Sequence, residues 1–217
     1  SVLVMSVPEG LPMMITLVLS TNSKKMLSNN VLVRKMVGIE TAGSLNILFT
    51  DKTGTLTKGK MEVVKVVQGN LTEYHSKINL TDTYQKILED ALIYNNDSEY
   101  DKISNSVIGG NITDKALLSY AGKYKDNNIK IIDKVLFNSR NKYSISVIEK
   151  EDKRIKLIKG APDKIIRYTS NYIDNDGKTK KLDKEVLNKY IERETNLGLR
   201  AIAIAISDST YPTDSIR

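Results

Sequence analysis

The stretch Asp51-Lys52-Thr53-Gly54-Thr55-Leu56-Thr57 directly follows the apolar run Leu45-Asn46-Ile47-Leu48-Phe49-Thr50, and together they decide the fold assignment. The apolar run predicts a buried strand, whose end would hold the Asp51 carboxylate in a fixed place. Gly54 allows a tight turn, in which backbone N–H groups and threonine hydroxyls can face a phosphoryl group. The pattern predicts that Asp51 is a nucleophile that forms an aspartyl-phosphate. The alternative is a threonine-rich turn after a strand.

This segment resembles the phosphorylation motif of the P-type ion-pumping ATPases, which belong to the haloacid-dehalogenase-like phosphotransferases. The resemblance assigns Asp51, Lys52 and Thr53 to the catalytic motif, with Asp51 and Thr53 as ligands of a magnesium ion. In the phosphatases of that superfamily an acid usually stands two residues after the nucleophile, whereas this chain has Thr53 there. Because a threonine cannot act as a carboxylic general base, the phosphoenzyme is expected to persist until another event triggers its hydrolysis.

The composition limits the classes of function. The 217 residues are enough for one large or two small domains, and the absence of cysteine excludes disulfides and thiolate metal sites. The formal net charge is +7, but the lysines are interleaved with acids and form no dense basic block. This charge suits a nucleoside triphosphate or an anionic membrane surface, and we expect no nucleic-acid partner.

Residues 1–20 are largely apolar and about as long as a helix that crosses a bilayer. Pro8, Gly10 and Pro12 interrupt the centre of this segment, which also carries the acid Glu9. Carbonyls that the prolines leave without helical donors, together with a carboxylate, would make an oxygen cage suited to a hard cation. The alternative is a buried core helix with a surface acid at a kink.

The segment from Val4 to Pro12 resembles the unwound fourth transmembrane helix of type II P-type pumps, and its Pro-Glu-Gly-Leu-Pro is closest to the calcium pumps. The resemblance makes Glu9 a ligand of the transported cation, and its second proline favours calcium or a related divalent ion. Three backbone carbonyls would complete this side of the cage, those of Val4, Met5 and Val7. The apolar segment is followed by a basic flank that contains Lys24, Lys25, Arg34 and Lys35. This flank predicts that residues after about 25 lie on the cytoplasmic side of a cell membrane.

Beyond residue 62 the pattern predicts an α+β domain with a largely antiparallel sheet flanked by helices, because strands and helices mix without a βαβ rhythm. Asp174-Asn175-Asp176-Gly177 predicts a hairpin turn. We expect helices over residues 81–95, 113–124 and 183–196, with a polar loop over 95–111. Strands are expected at 63–67, 131–137, 144–148, 155–158 and 201–206.

Three short segments of this second region carry residues suited to a nucleotide. Phe137 at a strand end can stack on a base, and Lys142, five residues on, can meet a phosphate. Lys159 follows a strand, and the next residue, Gly160, lets the backbone approach a flat ring closely. Arg200 stands at the start of an apolar strand. Each signal alone is also explained by a core aromatic or a surface cation.

The order and spacing of these segments resemble the nucleotide-binding domain of the same pumps, which implies ATP as the ligand. In the implied pocket Phe137 stacks on adenine, and Lys142 and Lys159 line the pocket. Gly160 gives backbone access, and Arg200 holds the phosphates. Asp114 stands where the family usually has a glutamate near the adenine. No Walker-type Gly-Lys-Ser/Thr loop occurs, so P-loop chemistry is not expected.

The sequence is therefore predicted to contain a fourth transmembrane helix with its stalk (1–30), the first part of a haloacid-dehalogenase-like α/β phosphorylation domain (31–62) and an inserted nucleotide-binding domain (63–217). The predicted function of the full-length protein is ATP-driven cation transport through an aspartyl-phosphate. In the family, the magnesium-binding aspartates and a catalytic lysine come later in the chain, so this part alone is expected only to bind ATP. The alternatives are a haloacid-dehalogenase-like phosphatase and a non-catalytic nucleotide-binding module.

Overall fold

The computed structural model describes residues 10–101, 103–123 and 125–208, and the chain divides into two compact units between Leu56 and Thr57. The first unit contains α1 (Gly10–Ser28), α2 (Val37–Gly43) and one turn of π-helix (Lys52–Leu56). The helices of the second unit are α3 (Asp82–Tyr94), α4 (Ile112–Ala121), α5 (Pro162–Tyr168), α6 (Lys184–Asn196) and a short 3-10 helix (Lys77–Asn79). Its strands are β1 (Val66–Val67), β2 (Glu73–Tyr74), β3 (Ser98–Tyr100), β4 (Val107–Gly109), β5 (Lys130–Val135), β6 (Tyr143–Lys150), β7 (Lys153–Gly160), β8 (Asn171–Ile173), β9 (Thr179–Lys181) and β10 (Ala203–Ser207).

Helix α1 begins at Gly10 and accommodates Pro12 in its first turn, where a missing N–H costs no helical hydrogen bond. None of its side chains is buried, and the large apolar ones from Leu11 to Val18 are 50% to 68% exposed. Within the part of the chain that the structure describes, no helix is both long enough and apolar enough to span a bilayer. The predicted transmembrane segment is therefore not shown here, and the predicted cation ligands lie outside the described residues: Val4, Met5, Val7 and Glu9.

The strand predicted before Asp51 is absent. Residues 45–50 have no regular secondary structure, and Leu48 and Phe49 are 74% and 93% exposed. An extended segment becomes a strand only when a neighbouring strand takes up its backbone hydrogen bonds, and none of the sheets among the described residues includes this segment. The buried strand is thus corrected to exposed coil, and a haloacid-dehalogenase-like α/β layer is not shown in this region.

The centre of the second unit is a four-stranded antiparallel sheet in the order β10-β7-β6-β5. Strands β6 and β7 form a long hairpin, paired from Tyr143 opposite Gly160 to Lys150 opposite Lys153. A two-residue turn, Glu151-Asp152, closes the hairpin with φ values of 51° and 61°, the left-handed pair that a type I′ turn requires. The predicted antiparallel sheet flanked by helices is confirmed.

Successive side chains of the sheet point to opposite faces, and each face packs against its own helix. Ile148 and Leu157 join the cluster that contains residues of α3 on one face. Ile145 and Ile158 pack against Ile165 of α5 on the other face. Helix α4 packs beside α3, and α6 packs beside α5, so the sheet lies between two pairs of helices.

The three predicted helices are confirmed as α3, α4 and α6, and each begins at a side chain that caps its first turn: Thr81, Asn111 and Asp183. The hairpin turn is also confirmed, because Gly177 takes a φ of 79° between β8 and β9. The polar loop predicted over residues 95–111 is wrong in part, since β3 and β4 pair within it. These two strands are three residues each and polar, so they lack the alternation that signals a strand.

Candidate functional site

A buried ion pair between Lys159 and Asp114 lies under the sheet face that α3 and α4 cover. Lys159 is on β7 and points to the same face as Leu157, while Asp114 is in the first turn of α4. The lysine Nζ donates to Asp114 Oδ1, and the two side chains are only 7% and 4% exposed. Sequence reasoning assigned both residues to one pocket, and the structure brings them into contact.

The Asp114 carboxylate is held on its other side by Asn111. The backbone N–H of Asp114 donates to Asn111 Oδ1 at 2.9 Å, and Asn111 Nδ2 donates to Asp114 Oδ2 at 3.2 Å. A carboxylate in the first turn of a helix also gains from the positive end of the helix dipole. Both oxygens of Asp114 are thereby fixed, one by a cation and one by an amide.

Gly160 lies against the backbone of the strand that pairs with it. A Cβ at this position would stand 2.3 Å from the carbonyl oxygen of Lys142 and 2.6 Å from Cα of Tyr143, which no side chain can occupy. The N–H of Ala161 donates to the same Lys142 carbonyl at 2.9 Å. Only glycine fits here, because the backbones of β6 and β7 close on each other at this end of the hairpin.

The segment between β5 and β6 forms a tight turn that carries the predicted stacking ring. The N–H of Lys142 donates to the carbonyl of Asn138 at 2.6 Å, and Lys142 adopts a left-handed φ of 62°. Phe137 directly precedes this turn and is 45% exposed, so its ring is available to a ligand rather than buried in the core. The Lys142 side chain is exposed as well.

Arg200 lies elsewhere, on the α5 side of the sheet. It lines an open cleft with the start of α5, at Pro162 and Asp163, and with the end of α6, at Ile191 and Thr195. The chain from Gly160 to Pro162 links the two places through a single alanine. The structure therefore brings Asp114 into contact with Lys159, and Gly160 into contact with the backbone of Lys142. It puts Arg200 on the opposite face of the sheet from the ion pair.

Asp51, the predicted nucleophile, belongs to the first unit and is exposed. Its Oδ1 accepts the backbone N–H of Lys52 at 2.8 Å, at the start of the π-helical turn in which Gly54 takes a φ of 81°. Among the described residues, no group of three or more acids, histidines or cysteines could hold a metal ion. Asp51 supplies a single carboxylate, so these residues alone do not fit a magnesium site, and Thr53 as a ligand stays a prediction.

Sequence reasoning missed two buried asparagines beside the ion pair. Asn95 is 1% exposed and Asn96 is 8% exposed, although both belong to a stretch predicted as a polar loop. Asn95 Nδ2 donates to the carbonyls of Ser144 and Leu157 on the sheet. Their position at the end of α3 was the only available signal, because asparagine is common where helices end.

A second polar cluster fastens the β1–β2 hairpin to α6. Lys65 Nζ lies 3.1 Å from Glu73 Oε2 and 2.7 Å from Glu194 Oε2, and the hydroxyl of Tyr190 donates to Glu73 Oε1 at 2.5 Å. The hydrogen bond from Tyr190 and then the one from Lys65 lower the pKa of Glu73. Lys65 and Arg193 lower the pKa of Glu194, and these acids raise the pKa of Lys65.

Comparison with known proteins shows which protein family this chain belongs to. The family model described as P-type ATPase, cytoplasmic domain N, matches residues 83–215, which run from the second residue of α3 past β10 and include the ion pair. This chain belongs to the P-type ATPase family. The match also fits the observed antiparallel sheet with helices on both faces.

Individual relatives of this P-type ATPase chain are similar over nearly all of its length. "Calcium-transporting ATPase 1" of Bacillus cereus is 30% identical over 94% of this chain and 23% of the relative. "Plasma membrane calcium-transporting ATPase 4" of Bos taurus is 33% identical over 96% of this chain and 19% of the relative. "Sodium/potassium-transporting ATPase subunit alpha" of Drosophila melanogaster is 30% identical over 98% of this chain and 23% of the relative. The chain therefore spans about a quarter or less of the relatives it matches.

Proposed function

We propose that residues 57–208 bind ATP, and that the full-length protein is an ATP-driven cation pump that forms an aspartyl-phosphate at Asp51. The observation that carries the proposal is the buried Lys159–Asp114 pair next to the tight backbone contact at Gly160, inside the region matched by the family's domain N. Such a site brings an acceptor, a cation and a close contact between two strands together within one short stretch of sheet.

The proposed roles follow from exposure and charge. Phe137 offers a half-exposed ring on which an adenine can stack, and Lys142 offers an exposed cation to the phosphates. Gly160 lets the end of β7 lie directly against β6, which brings Lys142 and Lys159 to the same end of the hairpin. Lys159 and Asp114 form the inner wall, and Arg200 would reach the phosphates from the cleft beside α5.

In the proposed reaction an oxygen of the Asp51 carboxylate attacks the γ-phosphorus of ATP. The bond from that phosphorus to the oxygen that bridges the β-phosphate breaks, and ADP leaves. The exposure of Asp51 supports this role, since a nucleophile must be reachable. Thr53 offers no carboxylate for hydrolysis, so the intermediate is expected to last.

The transported ion is proposed to be divalent, with calcium first. Two observations support this: relatives named for calcium transport are similar over most of the chain, and the sequence holds Pro-Glu-Gly-Leu-Pro around Glu9. The proposed setting is a membrane that residues 1–20 help to cross, with the nucleotide unit on the cytoplasmic side.

The ATP site is tested by calorimetric titration of ATP into the 217-residue chain, with and without magnesium, for the wild type and Phe137→Ala. We expect saturable binding that the substitution weakens by about tenfold or more, since stacking of one base on an aromatic ring contributes about 1–3 kcal/mol. The melting temperature should stay unchanged because Phe137 is outside the three core clusters of the described residues.

Leu136→Ala is the matched control, because Leu136 is the neighbouring residue and is 61% exposed. It should bind ATP as the wild type does. A folded wild-type chain that binds no ATP would contradict the proposed function, and would favour a module without nucleotide. Equal binding by wild type and Phe137→Ala would remove Phe137 from the site.

A further inference from the structure

The buried side chain of Asn96 touches both the end of α3 and the backbone of Asp114. Its Nδ2 donates to the carbonyl of Leu92 at 3.1 Å and to the carbonyl of Asp114 at 3.0 Å. Its Oδ1 accepts the N–H of Ser98 at 2.8 Å. Both amide hydrogens and the oxygen are therefore used, and each bond ends on a backbone group.

The backbone of Asn96 adds a further link, to β5. Lys134 Nζ donates to the Asn96 carbonyl at 2.6 Å and pairs with Asp97 Oδ1 at 2.6 Å. Lys134 is on β5 and stands three residues before Phe137. Asn96 is thus bonded to α4, which carries Asp114, and to β5, which ends two residues before Phe137.

Tight packing between the start of β3 and the chain before α4 leaves Asp114 little freedom. A Cβ on Gly110 would meet Ser98 Oγ at 2.3 Å and Ser98 N at 2.9 Å, so the chain that leads into α4 lies directly on the start of β3. Asn111 then caps α4 and contacts the Asp114 carboxylate. A displacement of Asn96 would move the first turn of α4, and Asp114 with it, relative to Lys159.

We propose that Asn96 is a positioning residue for the nucleotide site, which holds Asp114 where Lys159 meets it. This inference rests on the proposed function, because it assumes that the Lys159–Asp114 pair forms part of the ATP site. Asn96 does not touch the ligand. It acts through the Asp114 backbone, and its removal weakens ATP binding by letting α4 shift.

The neighbouring residue provides a matched control. Asn95 is buried like Asn96, with 1% exposed against 8%, and also donates to two backbone carbonyls, but these belong to Ser144 and Leu157 on the sheet. Asn95→Ala and Asn96→Ala should therefore lower the melting temperature by similar amounts, several degrees each. Only Asn96→Ala should change the affinity for ATP.

The experiment is a double-mutant cycle measured by ATP titration of the 217-residue chain. Asn96→Ala should raise the Kd for ATP by about tenfold, which is the size of one lost hydrogen bond to a buried backbone group. In an Asp114→Asn background the same substitution should have no further effect, because the group through which it acts is already altered. Asn95→Ala should leave the Kd unchanged in both backgrounds.

Three results would overturn the positioning role: a wild-type Kd in Asn96→Ala, an equal loss in Asn95→Ala, or a loss that persists in the Asp114→Asn background. If Asn96→Ala does not fold, Lys134→Met replaces it, because Lys134 is only partly buried and binds the Asn96 carbonyl. Its Kd should rise about threefold, and again only when Asp114 is present. A folded wild type without ATP binding would instead contradict the proposed function itself.

Discussion

Asp51 and Asp114 are two aspartates singled out from sequence, and the structure gives them opposite surroundings. Asp51 is exposed, and the bond seen at its carboxylate comes from the backbone of the next residue. Asp114 is buried and held by a lysine 45 positions away and by the cap of its own helix. A carboxylate that reacts needs access, whereas a carboxylate that organises a pocket needs partners. The surroundings of each aspartate therefore suit its proposed role, as an accessible nucleophile at Asp51 and as a fixed part of the pocket at Asp114.

The largest expected effect concerns covalent chemistry, which separates the two aspartates completely. In the full-length protein supplied with γ-labelled ATP, Asp51→Asn should abolish a phosphate label that survives acid and is released by hydroxylamine. Asp114→Asn should reduce labelling only at low ATP and recover it when ATP is raised, because the variant loses affinity rather than the nucleophile. Labelling that survives in Asp51→Asn would show that another residue carries the phosphate.

The next largest effect concerns stability, where disrupting the Asp114 pair should cost more than changing Asp51. Lys159→Met leaves the buried Asp114 carboxylate without its cation, so the free energy of unfolding should fall by about 3–5 kcal/mol. Asp51→Asn changes an exposed side chain and should stay within about 0.5 kcal/mol of the wild type. Urea unfolding of the 217-residue chain measures both values.

A second substitution checks the cause of that loss. Lys159→Met combined with Asp114→Leu removes the unpaired charge and should recover part of the stability. If the double variant is no more stable than Lys159→Met, the loss arises from packing around β7 rather than from the charge. If Asp51→Asn is as destabilising as Lys159→Met, the contrast between the two carboxylates is wrong.

The smallest effect tests whether other paired carboxylates in the second unit behave as Asp114 does. The pKa values of Glu73 and Glu194 are lowered from 4.5, so their pairing stabilises the fold above that pH and is lost as the pH falls through the lowered values. The pKa of Lys65 is raised from 10.5, so its contribution is complete below that pH. Lys65→Met should therefore lower the melting temperature at neutral pH, and the difference from wild type should shrink well below pH 4.5.

Lys189→Met is the control for that titration. Lys189 pairs with Glu185 on the surface of α6, with both side chains more than 70% exposed, so its loss should change little at any pH. A difference between Lys65→Met and wild type that stays constant down to strongly acidic pH would show that Lys65 acts through its ammonium over the Tyr190 ring, 5.3 Å from the ring centroid, instead of through the two carboxylates.

Local signals predicted local structure well. Thr81 marked the start of α3, and the apolar periodicity after it gave the helix within one residue at each end. The hairpin turn at Gly177 was readable because only a few residue types tolerate its backbone angles. No helix is predicted from the sequence at Pro162, where the structure has the seven-residue helix α5.

Long-range pairing could not be read from the sequence. The partner of Lys159 is Asp114, and nothing in the spacing of the two residues indicates their contact. The buried strand predicted at residues 45–50 failed for the same reason, since a strand exists only with a neighbour. Asn95 and Asn96 have a composition typical of loops, yet they are buried because their amides complete the hydrogen bonding of the sheet and of α4.

The two-residue turn at Glu151 and Asp152 has a consequence for engineering and for evolution of this chain. It closes the β6–β7 hairpin at the end remote from Gly160, and it sets which residues of β7 face α4. Insertion or loss of a single residue there would slide one strand by one position, turn Lys159 toward α5 and bring Ile158 toward Asp114. The ion pair would be lost although no residue near it had changed. Length changes at this exposed turn should therefore be tolerated only in steps that preserve the alternation of the strand.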